Sequence, residues 1–156
     1  MSVALLDVNV LVALFVARHV HHELAHDWFA DQRSLGWATC PITENGFVRL
    51  MSQPVGTSVV YRPAEALDML RVFCRSGHHH FWKDSVSLAD ERVFDPSLIR
   101  GHKQITDVYL LGLAKSSGGA LATFDRTISL GAVKGATKSH LQVISADPGE
   151  STSGDR

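Results

Sequence analysis

At 156 residues the chain has the length of one ordinary domain, and 45% apolar against 20% charged residues is a globular composition that excludes a disordered chain. Its 16 acids against 15 bases give a formal charge of -1, which excludes a uniformly basic nucleic-acid coat but not a local basic site. Two cysteines point to reduced thiols rather than a disulfide framework, and nine histidines are an excess that invites metal-site readings.

Val3-Ala4-Leu5-Leu6-Asp7 reads as a buried strand ending in an acid. A buried helix is expected over residues 10–17, with Asn9 as its N-cap. Residues 21–32 form a second helix pattern with Leu24, Trp28 and Phe29 on the inner stripe. Gly36-Trp37-Ala38-Thr39-Cys40 is a second strand, closed by Pro41, after which Thr43 is expected to cap a helix over residues 44–51. A loop over residues 52–61 leads to a helix opened by Pro63, with Ala66, Met69, Leu70 and Phe73 on one face and Gly77 beyond its end. Phe81-Trp82 reads as a short strand, and His78-His79-His80 before it as a solvated loop. Residues 84–100 carry no clear period. Thr106 is expected to cap a helix over residues 107–116, stopped by Gly118-Gly119. Strands at residues 120–124, ending at Asp125, and 141–144 complete the pattern. Strands alternating with helices predict one α/β domain over residues 1–144 with a mostly parallel sheet, and residues 145–156 form a polar C-terminal tail expected to be flexible. No apolar run approaches a membrane span and no targeting segment is recognisable, so a cytoplasmic protein with no membrane association is expected.

Asp7 and Asp125 each follow an apolar strand, while Glu44 and Asp107 each stand one residue after a Thr at a predicted helix start. In open α/β sheets these positions share the carboxyl edge, where ligands collect. Four carboxylates at one edge repel one another unless a hard divalent cation joins them. Such a cluster suits phosphodiester hydrolysis, because the cation offsets charge on the phosphate and activates water. Taken singly, each acid is better read as a helix-start or turn residue, and only the joint pattern favours function.

The segments Leu5-Leu6-Asp7-Val8-Asn9-Val10-Leu11, Pro41-Ile42-Thr43-Glu44-Asn45-Gly46-Phe47-Val48-Arg49-Leu50, Ile105-Thr106-Asp107-Val108-Tyr109-Leu110-Leu111 and Ala122-Thr123-Phe124-Asp125-Arg126 fit in order, spacing and flanks a known pattern. With them the sequence resembles the PIN-domain ribonucleases, and among them the VapC-type toxins of type II toxin–antitoxin pairs. The resemblance implies a single PIN-like domain, an α/β/α sandwich with a mostly parallel central sheet. It also implies a metal-dependent endoribonuclease acting on cellular RNA, with Mg²⁺ (or Mn²⁺) as cofactor, a cognate antitoxin protein as partner, and a homodimer. Carried over, Asp7, Glu44, Asp107 and Asp125 are the catalytic and metal-binding acids, and Asn9, Thr123, Arg49 and Arg126 the supporting groups. Where some members carry a further acid, this chain has Thr127, Ile128 and Ser129, which leaves the number of metals open.

Two alternatives stand beside this reading. His22-Glu23-Leu24-Ala25-His26 matches the H-E-x-x-H signature of zinc metallohydrolases, with His22 and His26 as ligands and Glu23 as base, although no third ligand is placed. A non-catalytic binding module on the same fold is the other. For RNA contact the candidate cations are Arg100, Lys103, Lys134 and Lys138.

Overall fold

The computed structural model describes residues 2–54 and 60–146. Five strands, β1 (Ala4–Leu6), β2 (Trp37–Thr39), β3 (His79–Phe81), β4 (Ala120–Thr123) and β5 (Leu141–Val143), form one sheet in the order β3-β2-β1-β4-β5. Every pairing is parallel. Helices α1 (Val8–Phe15) and α2 (His22–Gln32) connect β1 to β2, α3 (Pro41–Met51) and α4 (Pro63–Cys74) connect β2 to β3, and α5 (Ile105–Ser116) precedes β4.

The three central strands β1, β2 and β4 are buried along their whole length and mostly apolar because both faces are covered, whereas the edge strands β3 and β5 are partly exposed. Side chains alternate between the two faces with period two. Ala4, Leu6, Trp37 and Ala122 pack with α1–α4, whereas Leu5, Ala38 and Leu121 pack with α5. Each fully buried leucine contributes about 1.5–3 kcal/mol to folding. The result is the expected α/β/α sandwich. Gly46 sets the approach of α3 to α1, since a Cβ there would stand 2.7 Å from Cγ2 of Val8.

Several expected boundaries move. Helix α1 starts at Val8, two residues early, because Asp7 rather than Asn9 is its N-cap. Pro41 occupies the first turn of α3, which is opened by Cys40, so Thr43 lies inside the helix. Its hydroxyl accepts the Cys40 N–H at 2.9 Å. Helix α5 starts at Ile105, continuing a 3₁₀ turn over His102–Gln104, so Thr106 is an exposed first-turn residue rather than a cap. The histidine run expected as loop supplies the edge strand β3, with His79 its first residue and Trp82 just beyond it. Within residues 84–100, Phe94 bridges antiparallel to Val133 and fills the space over Gly112. Of the expected loop, residues 55–59 lie outside the described residues, as do residues 147–156 of the expected tail. Among the described residues, no helix is long and apolar enough to cross a membrane.

Candidate active site

The chain leaves β1 toward β2 and β3, then returns on the opposite side through β4, so the strand order reverses between β1 and β4. Carboxyl ends of strands at such a switch point form the crevice where α/β sheets bind ligands. Asp7 follows β1 at this point, and its N–H donates to Ala122 of β4 at 3.0 Å. Asp125 follows β4 after one intervening residue, Phe124.

Asp7 is buried, and both of its oxygens are held. Oδ1 accepts the Val8 N–H at 2.7 Å and Oδ2 accepts the Thr123 hydroxyl at 3.0 Å. The Thr123 Oγ1 in turn accepts the Asp125 N–H at 3.1 Å, so one fully buried hydroxyl ties the two aspartates together. Asp125 Oδ1 accepts the N–H of Thr127 at 2.7 Å and its hydroxyl at 2.6 Å. Thr127 therefore clamps Asp125. Asp107 projects from the first turn of α5, half-buried. Burial pushes its carboxyl up to about 6, and the charges of Asp7 and Asp125 push in the same direction. Burial also raises Asp7, against the two hydrogen bonds that favour its charged form, and Asp125 adds to the rise. Three of the four expected acids thus act on one another at this edge. Among the described residues no Lys or Arg forms an ion pair with Asp7 or Asp107; the ion pairs join Arg62 to Glu65, Arg71 to Asp68 and Arg92 to Asp90.

Glu44 stands in the first turn of α3 at the same edge, but its carboxylate is engaged elsewhere. Its Oε2 accepts the Thr39 hydroxyl at 2.7 Å, and its charge acts on Cys74 and His79. Asn9 is exposed on α1. Arg49 is exposed and lines an open groove of about 490 Å³ between α3 and α4 with Asn45 and Leu67, so the structure does not bring it to the aspartates. Arg126, next to Asp125, is exposed and donates to the Ser145 hydroxyl. Arg100, Lys103, Lys134 and Lys138 are all exposed.

The H-E-x-x-H histidines have an architectural task. A ring nitrogen of His22 meets the Ala13 carbonyl at 2.7 Å, and one of His26 meets the Leu14 carbonyl at 2.7 Å. These carbonyls belong to the last turn of α1, which otherwise lacks partners. Among the described residues, neither histidine falls in a group of three ligand side chains close enough to share an ion. Among the described residues, the group of three ligand side chains whose ligand atoms all lie within 4.8 Å is Glu44, Cys74 and His79. The sequence reading did not assemble that group. The spacing His79-His80 in a strand, with a Cys at the preceding helix end, was the available signal. Also unforeseen is a ring stack beside Asp125, in which His21 lies 4.5 Å and His19 6.2 Å from the Phe124 ring.

Comparison with known proteins shows the family of the chain. The PIN domain family matches residues 4–133. Ribonuclease VapC44 of Mycobacterium tuberculosis is 48% identical over 141 residues, covering 90% of this chain and 99% of the relative. Ribonuclease VapC38 of the same species is 46% identical over 122 residues, covering 78% and 84%. In three dimensions the fold resembles the crystal structure of Mycobacterium tuberculosis VapC20, a sarcin-ricin loop cleaving toxin, with a TM-score of 0.55 at 12% identity, covering 78% of this chain and 87% of that one. The chain belongs to the PIN-domain family and, within it, to the VapC group.

Proposed function

We propose that this chain is a metal-dependent endoribonuclease and the toxic member of a toxin–antitoxin pair, hydrolysing phosphodiester bonds in cellular RNA. The observation that carries the reading is the meeting of Asp7, Asp107 and Asp125 at the β1–β4 switch point, two of them pushed toward protonation by burial and by one another. An all-oxygen donor set of this kind fits a hard divalent ion, Mg²⁺ or Mn²⁺. Asp7, Asp107 and Asp125 would hold it, and Glu44 completes the acid set expected from the sequence. When bound, the ion supplies Lewis-acid stabilisation of the phosphate and activates a water.

The chain's own groups do the rest. Thr123 and the Val8 N–H fix both oxygens of Asp7, and Thr127 fixes Asp125, so the carboxylates are oriented before substrate arrives. One carboxylate of the set would accept the proton that the activated water loses. Exposed Arg100, Lys103, Lys134 and Lys138 supply cations for the RNA backbone, and the Phe124–His21 stack offers a surface for an unpaired base. The reading includes a cognate antitoxin, a homodimer and a cytoplasmic location, which membership of the VapC group supports, and exposed apolar residues such as Val20 and Val72 are available for protein contacts.

Incubation of total RNA with the purified chain, with and without Mg²⁺, followed by mapping of 5′ ends, tests the reading. Discrete metal-dependent cuts that vanish in Asp7→Ala are expected. Equal cutting by Asp7→Ala, or none by the wild type, overturns it, and the second outcome favours a non-catalytic binding module.

A further inference from the structure

Away from the three aspartates, the structure collects a carboxylate, a thiol and an imidazole. Glu44 comes from the first turn of α3, Cys74 is the last residue of α4, and His79 is the first residue of β3. Each is half-buried, and their ligand atoms all lie within 4.8 Å of one another. We propose that Glu44, Cys74 and His79 form a zinc site separate from the aspartate cluster, with a fourth position open. Tetrahedral zinc holds thiolate, imidazole and carboxylate atoms about 3.5 Å apart, so side-chain shifts of about 1 Å close the site.

The surrounding contacts match what a ligating histidine needs. The Thr39 hydroxyl has one proton, which it donates to Glu44 Oε2 at 2.7 Å. Its other 2.7 Å contact, to His79 Nε2, therefore has the ring as donor. This chain fixes the tautomer and leaves Nδ1 with the free lone pair, the usual arrangement around a metal-bound imidazole. The Trp37 ring, 4.6 Å away, holds the imidazole in place. Burial lowers the His79 pKa, which keeps the ring in its neutral, ligating form.

Ion choice follows from the donors. A thiol and an imidazole are poor partners for Mg²⁺ and good ones for Zn²⁺. Cys74 also closes α4, so the negative end of the helix dipole faces a cation there. Burial, reinforced by Glu44, pushes the free thiol up to about 11, so without metal it stays protonated. Binding then replaces the S–H bond with an S–Zn bond and releases the proton to solvent. The inference goes beyond the nuclease reading and shares only Glu44 with it.

Cobalt(II) added to the purified full chain is the probe, because a thiolate bound to Co²⁺ gives a near-ultraviolet charge-transfer band. One equivalent should produce the band with release of about one proton, Zn²⁺ should abolish it with no further proton released, and excess Mg²⁺ should leave it unchanged. Cys74→Ser should lose the band, and His79→Ala should weaken Zn²⁺ binding about tenfold or more. Cys40→Ala, which removes the only other cysteine, should retain it. Circular dichroism checks that each variant is folded. No band in the wild type, or a band that survives Cys74→Ser, overturns the proposal. The spectra do not read RNA cleavage, so the nuclease reading stands or falls separately.

Discussion

Asp7 and Glu44 both follow apolar strands of one parallel sheet, and both stand at its carboxyl edge, yet their surroundings differ. Asp7 faces two other aspartates, is buried, and has its oxygens held by Thr123 and the Val8 N–H. Glu44 faces a thiol and an imidazole, and one of its oxygens is held by Thr39. The difference comes from topology. Strand order reverses beside Asp7, which opens a crevice between β1 and β4. Beside Glu44 the chain runs on through α4 into β3, whose first residue His79 is level with Trp37 at the start of β2, so Cys74 and His79 approach Glu44 from the other end of the strands. The two proposed ion sites thus draw on different parts of the sheet.

The contrast can be broken by substitution. Asp107→Asn should cut metal-dependent RNA cleavage more than about 100-fold, since even partners outside the ligand set are worth about 10–100-fold. Thr123→Val, which removes such a partner from Asp7, should cost about 10–100-fold in Mg²⁺ affinity, measured by titration. Glu44→Gln should fall below Asp107→Asn in its effect on cleavage. An equal loss would move Glu44 to the aspartate side of the comparison.

A smaller effect concerns pH. Asp107 has a folded pKa of about 6, above the unfolded value of about 3.9. The folded state therefore binds the extra proton between these values, and its stabilising contribution, complete below about pH 4, is lost as pH rises through 6. In chelator, Asp107→Asn should melt higher than wild type at pH 7.5 and nearly level with it at pH 4; the opposite order would contradict the burial of this carboxyl. Smallest of all, His22→Ala and His26→Ala should each cost about 0.5–1.5 kcal/mol of stability, read by denaturant melts, with cleavage retained. Loss of cleavage in a folded variant would return the H-E-x-x-H motif to the chemistry.

The alternation of strands and helices and the positions of the acids were legible in the sequence because apolar runs and helix starts are local signals. Boundaries were less so. Asn9, Thr43 and Thr106 all have good capping chemistry, but Asp7, Cys40 and a preceding 3₁₀ turn reached those positions first. The sequence grouped Glu44 with the aspartates by the edge they share, but motif spacing does not record which hydrogen-bond partner its side chain takes. The Thr39 hydroxyl decides that, and it belongs to a neighbouring strand residue that no motif included. His22 and His26 stayed ambiguous in the sequence for a related reason. Two histidines one turn apart can hold a metal or two carbonyls, and the carbonyls come from another helix.

The reversal of strand order between β1 and β4 has a kinetic consequence. Three acids gathered at one point, of which Asp7 and Asp107 form no ion pair among the described residues, repel a phosphodiester and attract a cation. Under the metal-dependent reading proposed above, the divalent ion should arrive first and RNA second. Association with RNA, and not turnover alone, should track occupancy by the ion. Ca²⁺, a hard oxygen-binding ion, should let RNA settle on the edge even where it leaves the strand uncut.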